Sequence, residues 1–309
     1  MKKRLLMLIS IIALSVMMTA CSQGAASGDG NGTIKVTTTT AQIADVTRNV
    51  AGDAAEVQSL MGPGIDPHLY QASQGDIQKL NQADIIFYNG LHLEGKMGEI
   101  FEKMSNEKPT VPVASAIPEN KLINDKTNAK IHDPHVWFDI SLWIHTVDIV
   151  EEELTKLSPE NKDEFAKNAA AFKKKLQEMD QYAKEQVQTI PEESRVLVTA
   201  HDAFTYFGNA YGFEVMGLQG LSTDSEYGLR DVQNLVDVLV DREIKAVFVE
   251  SSISEKSINA VVEGSKKRDH DVVIGGQLYS DAMGEEGTEE GTYLGMFKHN
   301  IDTIVSSLK

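Results

Sequence analysis

The sequence predicts an α/β protein of two lobes with mainly parallel sheets, joined by one long rigid helix. Three observations carry the architecture. Short β-rich runs alternate with helix-like stretches in both halves of the chain. The middle holds one uninterrupted amphipathic helical pattern. Over 309 residues, 41% apolar and 24% charged is the composition of an ordinary folded chain of about two domains.

In the first half, residues 34–38, 56–61, 84–89 and 110–114 are short and β-rich, with helical stretches such as 41–51 and 73–82 between them. In the second half, 195–199, 213–218, 245–250 and 271–274 repeat the pattern, with helices near 203–211, 229–242 and 255–268. Such alternation argues for parallel sheets covered by helices. Between the halves, Ser158-Pro159-Glu160 reads as a helix start: a capping hydroxyl, Pro at the first helical position, then an acid. Phe165, Ala169, Phe172, Leu176, Met179, Ala183, Val187 and Ile190 follow at steps of three and four, on one helix face, and Pro191 ends the run. At 1.5 Å per residue this helix is roughly 46 Å long. A coiled coil is the alternative use of such a seam. The expected boundaries are an N-lobe over 33–157, the connecting helix over 158–190 and a C-lobe over 191–309.

The N-terminus reads as an export signal. Lys2, Lys3 and Arg4 precede an apolar run over residues 5–18, too short to cross a ~30 Å hydrocarbon core comfortably. Thr19 and Ala20 lead to Cys21, the sole cysteine, and a lone cysteine at that place resembles a bacterial lipobox. Residues 1–20 are therefore expected to be a signal peptide, and 21–32 a lipidated Cys21 on a Gly/Ser-rich tether. The folded part would be held at the extracytoplasmic face of the cell membrane by that lipid alone. A single cysteine excludes an intrachain disulfide and a Cys-rich zinc site. A formal net charge of −17 argues against a nucleic-acid partner.

The chemistry lies in four places. Asp-Pro-His occurs twice, ending at His68 and at His135. Proline fixes the backbone beside each histidine, which lowers the entropy cost of ordering a binding loop. His201 directly follows an expected strand, and Asp281 lies just past another. Carboxyl ends of strands are where open α/β sheets bind ligands. Two groups from each half can thus converge on one cation, because neutral imidazole and carboxylate are both metal donors. His132, three residues from His135, is the rival ligand; His92, His145, His270 and His299 read as surface or structural.

Together with Cys21, the segments Met61-Gly-Pro-Gly-Ile-Asp-Pro-His-Leu-Tyr70, Asn89-Gly-Leu-His-Leu-Glu94, Asp133-Pro-His-Val-Trp137, Val198-Thr-Ala-His-Asp-Ala-Phe204 and Gly276-Gln-Leu-Tyr-Ser-Asp281 carry a family resemblance. The chain resembles the manganese- and zinc-binding lipoproteins of bacterial metal ABC transporters, most of all the manganese-binding lipoproteins of Gram-positive bacteria. The resemblance covers residues 33–309. It implies two (β/α) lobes on a rigid backbone helix, with metal ligands at His68, His135, His201 and Asp281 in the cleft between the lobes. It implies capture of Mn(II), or Zn(II) in the same role, and delivery to an ABC permease and its ATPase by a monomer. Some manganese-selective adhesin-type relatives carry Glu where this chain has His201, and zinc-binding relatives carry His. No enzyme activity is expected: four protein donors leave little room for the open water position of a zinc hydrolase, and no His-Glu-x-x-His helix is present. A surface hydrolase and an adhesin are the remote alternatives.

Overall fold

The computed structural model describes residues 33–309 apart from 127, 225 and 226, so the signal segment, Cys21 and the whole tether over 21–32 lie outside the described residues. In the first half, β1 (Ile34–Thr38), β2 (Ala55–Ser59), β3 (Ile85–Tyr88) and β4 (Thr110–Pro112) form one parallel sheet in the order β2-β1-β3-β4. β1 is central, and its β-branched residues Ile34, Val36, Thr37 and Thr38 are buried, as a strand covered on both faces requires. Helices α1 (Ala41–Ala51), α2 (Gln74–Gln82) and α3 (Gly98–Ser105) pack on this sheet. A reciprocal cap fixes the start of α2: Asp76 N donates to Ser73 Oγ at 3.2 Å, and Ser73 N donates to Asp76 Oδ2 at 2.9 Å.

The middle departs from expectation at its N-terminal end. Residues Pro159–Asn161 form a 3-10 turn, and the α-helix α5 begins only at Lys162 and runs to Val187. Ser158 is not its cap; it is the break after a preceding helix, α4 (Ile140–Leu157), which the sequence reading did not pick out. Asn161 Nδ2 donates to Ser158 Oγ at 2.9 Å and tightens the reversal. At 26 residues α5 is about 39 Å long, shorter than expected. Its apolar face is buried as read, with Met179 only partly so, and it packs on α4, α1 and the C-terminal helix of the same chain. The seam is thus used internally and not in a coiled coil.

In the second half, β5 (Val196–His201) pairs in parallel with β6 (Glu214–Gln219), and β7 (Ala246–Glu250) pairs in parallel with β8 (Val273–Leu278). β5 and β7 lie side by side and are buried along their whole length. Helices α6 (Thr205–Tyr211), α7 (Leu229–Asp241), α8 (Lys256–Lys266) and α9 (Tyr293–Leu308) complete this half. No helix among the described residues is long and apolar enough to cross a membrane.

The largest apolar cluster is shared between the halves, and the second half has a further cluster of its own that includes Val196, Val198, Ala200, Leu239, Val247 and Val261. The shared cluster holds Val36, Phe87 and Trp137 from the first half, Phe172 of α5, and Phe204, Phe248 and Phe297 from the second. Burying each such side chain is worth about 2 kcal/mol, so prising the halves apart is costly. A smaller, separate cluster of Leu60, Met61, Leu80, Met97, Phe101 and Met104 lies beside β2 and β3.

Candidate metal centre

Each of the four expected ligands sits at the end of a strand or in the loop beyond one. His68 is in the loop after β2, and His135 precedes a short 3-10 turn, Val136–Phe138. His201 is the last residue of β5, and Asp281 lies just beyond β8. The fold brings all four together: one donor atom from each lies within 4.8 Å of all the others. His68 Nε2 is 3.3 Å from His135 Nε2 and 3.8 Å from Asp281 Oδ2. Asp281 Oδ1 is 3.4 Å from His135 Nε2, and Asp281 Oδ2 is 3.3 Å from His201 Nε2. The four residues are at most 4% exposed. His132 does not join them; it lines a separate cavity of about 560 Å³ with His92. His270 and His299 each place Nε2 on a backbone carbonyl, of Ile244 and Gln277.

The repeated Asp-Pro-His has a local cause. Asp66 Oδ1 accepts the backbone N–H of His68 at 2.9 Å, and Asp133 Oδ1 accepts that of His135 at 2.9 Å. This is the aspartate turn, in which a short acid bonds the chain two residues on. Asp133 Oδ1 also lies 2.7 Å from His135 Nδ1, so it orients the ring as well. Glu250, at the end of β7, serves His201 in the same way. Its Oε1 accepts the His201 N–H at 2.9 Å, and its Oε2 is an ion-pair contact 2.6 Å from Nδ1. Carboxylates behind metal-binding imidazoles fix the tautomer and raise donor strength. The Asn89–Glu94 motif is a buttress: Glu94 Oε1 accepts from Thr39 Oγ1 (2.6 Å) and Asn89 N (2.7 Å), and Asn89 Nδ2 donates to Pro134 O at 3.0 Å, beside His135. Asp66 and Asp133 were visible in the repeated tripeptide, whereas nothing in the sequence marked Glu250 except its place at a strand end.

The electrostatics of the cluster centre on Asp281. Both carboxylate oxygens of Asp281 are buried and accept no well-aligned hydrogen bond among the described residues, which is costly for a charged group. Burial alone would raise the Asp281 pKa, but His201, His135 and His68 outweigh it and hold the carboxyl well below its usual range. Burial pushes His68 down to about 3, so its ring is neutral and ready to donate a lone pair. Burial also works to lower His135, yet Asp133 and Asp281 prevail and raise it to about 9. His201 is likewise raised, burial being overcome by Glu250 and Asp281. Without metal, His135 and His201 therefore hold protons near neutral pH. A dication bound by these donors takes the place of those two positive charges, so the exchange leaves the buried charge nearly unchanged. Three imidazole nitrogens and one carboxylate suit a borderline or hard divalent ion.

The comparisons with known proteins point to metal binding. Residues 36–307 match the ZnuA family, described as zinc-uptake complex component A, periplasmic. The manganese-binding lipoprotein MntA of Bacillus subtilis (strain 168) is 57% identical over 300 residues, covering 97% of this chain and 98% of that protein. The metal ABC transporter substrate-binding lipoprotein FimA of Streptococcus parasanguinis is 34% identical, covering 100% of this chain and 99% of that one. Among solved structures, the periplasmic zinc binding protein TroA from Treponema pallidum superposes with a TM-score of 0.88 at 48% identity, covering 90% of this chain and 99% of that chain. Lobes, four-donor cluster and sequence match thus fall on the same stretch of residues, and the chain belongs to the ZnuA family of metal-binding proteins that serve ABC transporters.

Proposed function

We propose that this protein captures Mn(II) outside the membrane and hands it to an ABC permease driven by its ATPase. The observation that carries the reading is the buried convergence of His68, His135, His201 and Asp281, one donor atom of each lying within 4.8 Å of all the others. The choice of Mn(II) is supported by the likeness to a manganese-binding lipoprotein at 57% identity. Zn(II) in the same role is the second reading, favoured by His201 and by the likeness to a zinc-binding TroA. In this reading His68 and His135 hold the ion from an N-lobe over 33–157. His201 and Asp281 hold it from a C-lobe over 191–309, with the rigid connector within 158–190. The protein works as a monomer, anchored through lipid on Cys21, and makes or breaks no bond in its cargo. Divalent affinity rises from Mn(II) toward Zn(II) at most such sites, so manganese uptake depends on geometry and availability more than on raw affinity.

Replacing His201 with Glu tests the assignment of the ion. A carboxylate there would face Glu250 at close range, so the swap is made together with Glu250→Gln, which removes the like charge. Exchanging imidazole for a hard oxygen donor should raise the Mn/Zn affinity ratio by about tenfold, ~1.4 kcal/mol. Competition titration of the two metals reads that ratio. An unchanged ratio would mean His201 does not touch the ion.

A further inference from the structure

We propose that Thr223 and Asp66 are a positioning pair that holds His68 on the ion, so that His68 is the ligand whose departure starts release. The proposal rests on the metal-capture reading above and assigns unequal roles within that site. Three independent observations carry it.

The first is unequal support. His135 and His201 each have a carboxylate against ring Nδ1, from Asp133 and Glu250, at 2.7 Å and 2.6 Å. The carboxylate beside His68 takes its backbone N–H instead, through Asp66 Oδ1. The second is unequal anchorage. Residues near three ligands belong to large buried clusters: Val136 and Trp137 by His135, and Leu278 and Met283 by Asp281, lie in the cluster that runs through both halves, while His201 stands between Ala200 of the second half's own cluster and Ala203 and Phe204 of the shared one. Ser280 O also accepts a hydrogen bond from Trp137 Nε1 at 3.1 Å, and Asp281 O one from Gln42 Nε2 at 3.0 Å. The loop bearing His68 springs instead from Leu60 and Met61 of the small separate cluster, and its Ile65 and Leu69 are exposed. The third is a tie across the cleft. The second oxygen of Asp66, Oδ2, accepts a 2.6 Å hydrogen bond from Thr223 Oγ1, which belongs to the other half of the chain. Beside it, Lys96 Nζ pairs with Asp224 at 3.0 Å.

The two copies of the same turn have thus been put to different uses. Asp133 spends its side chain on the imidazole beside it. Asp66 links the His68 backbone to the opposite half. Because these large clusters keep His135, His201 and Asp281 in place, the His68 loop is the part that can leave without exposing them. Separation of Thr223 from Asp66 frees it. A permease that pulls on the loop around Thr223 would therefore loosen one ligand of four and leave the fold intact.

The test is release of Mn(II) from the full chain into excess EDTA, followed by stopped-flow tryptophan fluorescence; the Trp137 and His135 ring centroids are 5.3 Å apart. Thr223→Val keeps the shape and removes the O–H donor. It should speed release about tenfold, the lower end of the effect of losing a group that supports a metal ligand. The association rate should change little, and Thr223→Ser should restore slow release. Lys126→Ala is the control. It breaks the 3.0 Å bridge between Lys126 and Asp202, which also joins the two halves but does not touch the His68 loop, and it should leave release unchanged. Release from Thr223→Val within twofold of wild type overturns the proposal, as does equal acceleration in Lys126→Ala. If wild type binds Mn(II) and either of those results is found, only the positioning pair fails. If wild type takes up neither Mn(II) nor Zn(II), the capture reading fails and the pair falls with it.

Discussion

Asp281→Asn should weaken Mn(II) binding by at least about a hundredfold, beyond the 10–100-fold typical of residues one layer further from a metal. Asp281 is the only carboxylate among the four donors, and its oxygens lie 3.3–3.8 Å from the nitrogens of all three imidazoles. Asparagine keeps the shape of the side chain and removes the one ligand charge that offsets the dication. Isothermal titration gives the affinity directly. Thermal unfolding gives a second readout, because an ion present at a hundred times its Kd stabilises the folded state by about 2.7 kcal/mol. Wild type should gain that stability from Mn(II), and Asp281→Asn should gain almost none. A variant that still binds within tenfold of wild type would remove Asp281 from the site.

Mn(II) affinity should also rise steeply with pH up to about 9, well beyond the range of ordinary histidine. From composition alone, three imidazoles with reference pKa values near 6.5 place the loss of binding between about pH 7 and 5. The structure moves that window upward, because Asp133 and Asp281 raise His135 to about 9 and Glu250 with Asp281 raises His201. Metal must displace both protons. Below those raised pKa values the apparent Kd should change by up to about a hundredfold per pH unit, since each displaced proton contributes a factor of ten. His68 contributes nothing to this slope near neutrality, its pKa being pushed down to about 3. The stability of the metal-free protein follows the opposite sign. A histidine whose folded-state pKa is raised stabilises fully below its unfolded value, about 6.5, and loses that contribution as pH rises through about 9. The gain in thermal stability on adding Mn(II) should therefore grow from pH 6 to pH 9. Proton release measured by titration in buffers of different ionisation enthalpy checks the same point. Binding that is flat over this range, with no proton release, would contradict the raised imidazoles.

Much of this site was legible before the fold was known, for a physical reason. Metal donors must be specific side chains, and the turn that presents His68 and His135 leaves a repeated tripeptide because Asp66 and Asp133 each bond the backbone two residues on. The strands were legible too: β7 is buried along its length and β1 everywhere but at Lys35, so apolar and β-branched residues dominate both. What escaped was whatever depends on contact across the chain. Helix α4 is the exception, because its signal is local: Ile140, Trp143, Val147, Val150 and Leu154 recur at steps of three and four behind the capping Asp139, but the longer seam of its neighbour α5 drew the reading. Ser158 looked like a cap because local chemistry permits it, but the reversal between α4 and α5 uses it as a hinge bonded to Asn161. Glu250 and Thr223 matter only because residues far apart in sequence meet, His201 in one case and Asp66 in the other. No spacing rule encodes such meetings. The shared cluster was equally invisible, since a division into lobes suggests one core for each, whereas the largest cluster runs through both beside a smaller one in each half.

The central claim is that His68, His135, His201 and Asp281 hold one divalent cation together. A crystal of the protein loaded with Mn(II), with anomalous scattering recorded on both sides of the manganese absorption edge, tests it most directly. The expected result is a single strong peak enclosed by the Nε2 atoms of the three histidines and the Asp281 carboxylate, about 2 Å from each donor. A peak in the cavity lined by His92 and His132, or no peak in protein shown by elemental analysis to carry manganese, would contradict it.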